Sequence, residues 1–182
     1  MLRRAGFLLL LLGCACIERP GTPRSLAARV DRSKLSDVIL TAAPAVAHPV
    51  GAVFNGEIEL IGYDVTPEPA APGQTVRVTF YWRALDDVND DWQVFVHLED
   101  ELRRAPRRIA DHWPAGGRYH TSAWRQGDIV KDAWTFVAPR DEARVAVWTG
   151  FYIDNLRLTL SQPGRGIGDG ENRLRVGTIE LR

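Results

Sequence analysis

The chain has 182 residues, 45% of them apolar and 25% charged, with 23 basic and 23 acidic side chains. That size and composition describe one globular domain with appendages, and they exclude a disordered or membrane-embedded chain. No half of the chain is basic enough for a nucleic-acid partner, so that class is set aside.

At the N-terminus, Arg3 and Arg4 precede the apolar run from Phe7 to Leu12. A spanning helix needs ~20 apolar residues, so the run matches a secretory signal peptide instead, expected over residues 1–13. Leu11-Leu12-Gly13-Cys14 resembles the bacterial lipobox, in which a small residue precedes the cut and the next cysteine receives diacylglycerol. The resemblance implies that Cys14 is the lipid attachment and that the protein meets a membrane through its acylated N-terminus. A plain signal peptide with Cys14 incidental is the alternative. Cys16 is the weaker acceptor, because Gly13 rather than a leucine stands three residues before it. Ala15 follows Cys14 where an aspartate would suggest inner-membrane retention, so the expected address is the outer membrane of a bacterial envelope, on its periplasmic or surface face. Both cysteines lie in this segment, which leaves the folded part without a disulfide or thiolate metal site.

Residues 14–51, with prolines at 20, 23, 44 and 49, read as a lipid-anchored tether. Its one organised piece, Asp31 to Leu40, suits a turn or two of helix or a short strand.

Residues 52–182 read as a single all-β domain. Ile58 to Val65 forms an early strand whose apolar parity slips between Leu60 and Ile61 beside Gly62, the sign of a bulge or of a strand buried on both faces. From Gln74 to Leu85 the alternation is clean: Val76, Val78, Phe80, Trp82 and Ala84 share one face, and Thr75, Arg77, Thr79, Tyr81 and Arg83 the other. After the polar run Asp86 to Asp91 a second alternation sends Trp92, Val94, Val96 and Leu98 inward and Gln93, Phe95, His97 and Glu99 outward. These two runs read as a hairpin needing a facing sheet. Further strands are expected at 107–111, 129–137, 143–153, 156–160 and 174–181, with Asp154-Asn155 as a tight turn. Regular short strands without an amphipathic helix predict an antiparallel two-sheet β-sandwich, Ig-like or jelly-roll-like.

Several pieces carry a family resemblance, in order: Glu57-Ile-Glu-Leu-Ile-Gly-Tyr-Asp64, Val78-Thr-Phe-Tyr-Trp-Arg-Ala84, Phe95-Val-His-Leu-Glu-Asp100, Tyr119 to Asp132 with Trp124 and Gly127, and Gly150-Phe-Tyr152 with Asn172-Arg173 and Gly177-Thr-Ile179. Together they resemble the β-sandwich domain at the C-terminal end of bacterial glycosyltransferase-like multi-spanning membrane proteins. That resemblance implies the sandwich, an envelope setting and a lean toward glycans. Glycosyl transfer does not carry over, because this chain lacks the family's transmembrane helices.

The most distinctive connection runs from Asp111 to Gly127 and holds Trp113, Tyr119 and Trp124 among His112, Arg118, His120 and Arg125. Aromatic faces beside hydrogen-bonding groups suit sugar rings; alternatively Tyr119 and Trp124 plug the end of the sandwich. Trp148 and Tyr152 fall on the outward parity of strand 143–153 and complete the candidate binding set, as a platform if Tyr81 shares that face. The Asp86–Asp91 run lacks the glycine and distal glutamate of a calcium loop, and His112 with His120 predicts no zinc geometry, so no metal is expected. Gly164 to Gly170 is followed by no helix that could present a phosphate site, so it reads as a β-connection, and no cofactor is expected. No nucleophile elbow accompanies Ser122 and His120, and Asp128 with Asp132 could serve a glycosidase only at suitable separation. The reading is therefore a non-catalytic, lipid-anchored envelope module that binds a glycan or another envelope component. The alternatives are a scaffold subunit docking an envelope protein, then a hydrolase using His112, His120, Asp128 and Asp132.

Overall fold

The computed structural model describes residues 30–182, so the expected signal peptide, Cys14 and the first part of the tether lie outside the described residues. Among the described residues, twelve strands form two antiparallel sheets packed as a sandwich. They are β1 (Ile39–Leu40), β2 (His48–Phe54), β3 (Ile58–Thr66), β4 (Thr75–Ala84), β5 (Gln93–Asp100), β6 (Arg108–Ile109), β7 (Ile129–Val137), β8 (Arg144–Ile153), β9 (Leu156–Arg157), β10 (Leu160–Gln162), β11 (Ile167–Gly168) and β12 (Leu174–Glu180). The first sheet runs β1-β7-β4-β3-β2-β10; the second runs β11-β12-β8-β5-β6, with β9 also paired to β8. Among the described residues, no helix is long and apolar enough to cross a membrane.

Side-chain parity follows the alternation. On β4, Val76, Val78, Phe80, Trp82 and Ala84 are all buried, while Thr75 and Arg77 face water. The parity slip in β3 is a bulge: Leu60 sits opposite Trp82 and Gly62 opposite Tyr81, so Ile61 is the extra residue. That single insertion returns Tyr63 and Val65 to the inner face that Ile58 and Leu60 already occupy.

The expected hairpin of the two alternating runs does not form. β4 pairs with β3 and β7, and β5 pairs with β8 and β6, in different sheets. Each run has an apolar face that must be covered, and residues 85–92 carry the chain across the sandwich so that the two faces cover each other. The carboxylates of the polar run serve that crossing. Asp87 accepts from the Gln126 amide at 2.9 Å and Asp91 from the Ser122 amide at 3.2 Å, with Val88 buried between them in sequence.

A second difference lies at the expected tether. From Val30 onward the chain packs against the sandwich: a 3-10 turn at Arg32–Lys34 leads into β1, which adds an edge to β7. Leu35 and Val38 are buried in the core cluster, and the expected boundary at 52 falls inside β2. The partners of this segment are about ninety residues away: Arg32 bonds both carboxylate oxygens of Asp128, at 2.9 and 2.6 Å, and Arg118 bonds Asp37. No local pattern announces contacts of that range. If residues 30–40 are part of the fold, Leu35→Ala should lower unfolding free energy in urea by about 2–3 kcal/mol. A variant as stable as the parent would restore the tether reading of this stretch.

Candidate functional site

The loop 111–127 is held from below by two carboxylates on its own side of the chain. Asp132 points inward from β7 and is fully buried. It accepts from the Trp82 indole N–H at 3.2 Å, from His112 Nε2 at 3.1 Å and from the Ala115 amide at 2.9 Å. His112 Nδ1 lies 2.9 Å from the Ala110 carbonyl, so both ring nitrogens face acceptors. Burial pushes the His112 imidazole toward the neutral form, but Asp132 and the carbonyl outweigh it and raise its pKa above the ordinary value. Asp128, just before β7, takes the Arg32 fork, the Tyr119 hydroxyl at 2.6 Å and the Arg125 amide at 2.9 Å. Burial alone would raise the Asp128 carboxyl; Arg32, Tyr119 and the amide together hold it below its usual value.

These anchors decide the fate of the predicted aromatics. Tyr119 and Trp124 are fully buried, and the Trp124 indole donates to the Tyr119 carbonyl at 3.1 Å. They close the end of the core against Phe151 and take no part in a surface. Trp113 is exposed and leans on His120, with ring centroids 4.8 Å apart. Its neighbours in sequence are thus separated from it by the fold. His112 and His120 do not converge either, since His120 turns toward Asp91 while His112 is held by Asp132. Among the described residues, no three His, Cys, Asp or Glu side chains are grouped to hold a metal ion.

Trp148 and Tyr152 do share a face, the outer side of the second sheet. Tyr81 lies on the outer side of the first sheet, bonded to Asp64, so it does not join them. Register places His97 opposite Trp148, Phe95 opposite Gly150 and Gln93 opposite Tyr152. Gly150 is what lets the Phe95 ring lie down on the sheet, because a Cβ there would meet that ring at 2.6 Å. The Trp148 face is capped by the Arg173 guanidinium, 4.5 Å from the ring centroid and itself bonded to Glu99 and Asp169. Tyr152 stays half-exposed, with its hydroxyl donating to Gln93 at 2.9 Å.

A groove of about 530 Å³ runs beside these rings. Phe95, His97 and Tyr152 form its floor, the turn from Asp154 to Arg157 one wall, Glu171 and Asn172 the other, with Asp111 also lining it. Asp154 sits in the left-handed region (φ 52°), which turns β8 sharply into β9 and raises that wall. Arg157 reaches over Phe95, 5.5 Å from the centroid, while donating to the Glu171 carbonyl at 3.0 Å. Burial, then the nearby Arg107, lower the His97 pKa against the opposing pull of Asp111, so the ring is neutral at physiological pH. Of the groove residues, the sequence reading singled out only Tyr152 as a binding residue. The available signal was the outward parity of Phe95 and His97: a large apolar ring on a polar face needs a reason to be there.

The fold is an all-β sandwich with a groove on the outer face of its second sheet. No family model and no curated protein matches the chain. Among solved structures, the C-terminal domain of wzt is similar, with a TM-score of 0.44 and 11% identity over 73% of this chain and 78% of that one. At that level the likeness says nothing of ligand or activity.

Because folding raises the His112 pKa, it favours the protonated ring. The stabilisation is complete below the unfolded value of ~6.5 and is lost as pH rises through the folded one. Urea denaturation of the parent and His112→Gln should therefore differ most near pH ~5 and converge toward pH ~9. A gap that widens with pH contradicts a charged His112 in the folded protein.

Proposed function

We propose that the protein is a non-catalytic binding module of the bacterial cell envelope, held at a membrane by an acylated Cys14 and taking a glycan in the groove on the outer face of its second sheet. The groove is the observation that carries the reading: the half-exposed Tyr152 ring lies beside polar groups at His97, Asp111, Asn155 and Arg157, with Phe95 buried beneath the Arg157 guanidinium. A pyranose offers an apolar C–H face for such a ring and hydroxyls for such a rim, and a cavity of this size accommodates one or two sugar units. Support for a non-catalytic role is the commitment of the best acid–base candidates. Asp128, Asp132 and His112 are each saturated by protein partners, and none of them lines the groove. The membrane address rests on the lipobox-like Leu11-Leu12-Gly13-Cys14.

Binding of the full chain to an array of envelope oligosaccharides is the direct test. Tyr152→Ala and Arg157→Ala should each weaken binding by about ten-fold or more, while Trp113→Ala, outside the groove, leaves it unchanged. Binding that survives both groove variants, or capture of proteins with no saccharide retained, sinks the glycan reading. Metabolic labelling with a tagged fatty acid should mark the parent and not Cys14→Ser; equal labelling removes the anchor.

A further inference from the structure

The lining of the groove also carries information about charge. Asp111, Asp154 and Glu171 line it, and Arg157 is its one guanidinium. Arg157 is already engaged, by the Glu171 carbonyl at 3.0 Å and the Glu171 carboxylate at 3.7 Å. The two other arginines near the floor are spoken for as well. Arg107 pairs with Glu99 at 3.2 Å and faces His97 Nδ1, and Arg173 is divided between Glu99 and Asp169. Asp111 keeps part of its capacity, since one oxygen accepts the Val96 amide at 2.9 Å and its side chain is still a quarter exposed. His97 stands at the floor as a neutral ring, its Nε2 3.9 Å from Asp111. The open hydrogen-bonding capacity of the groove is therefore mostly acceptors, at Asp111 and Asp154.

Resting on the saccharide reading, we propose that this groove selects sugar units that present hydroxyl or ammonium donors and excludes those bearing a carboxylate or phosphate. A ring stacked by its C–H face against Tyr152 would place its donors toward Asp111 and Asp154. An acid group in the same place would meet like charges at Asp111 and Asp154, with Arg157 already engaged by Glu171 and no free cation among the groove residues to answer it. An amine would meet the opposite condition, so amino sugars stand at the top of the ranking.

The test is titration calorimetry of the full chain, in detergent, with three probes: neutral gluco- and manno-oligosaccharides, glucosamine oligomers and uronic-acid oligomers of matched length. Glucosamine oligomers should bind at least about ten-fold tighter than uronates, with neutral sugars between, and the gap should shrink with added salt. The isosteric pair Asp154→Asn and Glu171→Gln, on exposed walls where folding is undisturbed, should reduce the preference for the amine by about three-fold or more. Uronates binding as tightly as amino sugars, or a preference unchanged in the double variant, overturns the charge selection and leaves the glycan reading standing. If none of the three probes binds, that reading falls with it.

Discussion

The two sheets are joined through a column of aromatic rings, and the rest of the molecule is arranged around it. Trp82 on β4 lies 4.8 Å from Phe151 on β8, the contact that bridges the sandwich, with Phe54 and Phe80 set edge-on beside it. Burying an aromatic side chain removes ~150–250 Å² from water, a gross gain of roughly 4–6 kcal/mol each at ~25 cal/mol per Å². Paired as a hairpin, β4 and β5 would set their apolar faces side by side and both would need a cover from elsewhere. Placed in opposite sheets, they cover each other.

A tryptophan in that position brings a polar atom with it. The Trp82 indole N–H finds its acceptor in Asp132, and a carboxylate at the centre of a sandwich must in turn be satisfied. His112 and the Ala115 amide do so, which draws the loop after β6 across the open side of the core. Asp128 repeats the device at the end of the same loop, gathering Tyr119, the Arg125 amide and Arg32. One buried ring thus explains why residues so rich in binding-type side chains are used as a lid, and why the segment before β2 is fastened to them.

With that loop committed to architecture, the outer face of the second sheet presents the half-exposed Tyr152 ring beside charged groups. Its floor is rigid for a simple reason: β8 lies between β5 and β12 and cannot shift without breaking both ladders. Its walls come from a sharp turn at Asp154 and from the chain around Glu171, the parts of a sandwich that vary without disturbing the core.

How far the sequence reached can be judged from particular residues. Alternation placed Val76, Val78, Phe80, Trp82 and Ala84 on the inner face, and Trp92, Val94, Val96 and Leu98 on that of the next run, and so pointed to the sandwich, because a period of two admits one assignment of faces once one face is apolar. Beside Gly62 it offered a bulge or a doubly buried strand, of which the bulge formed, and Asp154-Asn155 marked the turn. Phe95 and His97 keep the outward parity expected of them but are buried, because Arg157 and Arg107 reach over that face. Whether Tyr119 and Trp124 stack a ligand or plug a core was beyond the sequence, since the same rings serve both ends and only the positions of Asp128 and Phe151 decide. Nor could it pair Arg32 with Asp128, or set Arg157 over Phe95 and Glu171 opposite Asp154. Those relations join residues far apart along the chain, and they come into being only when strand order brings distant segments to one place.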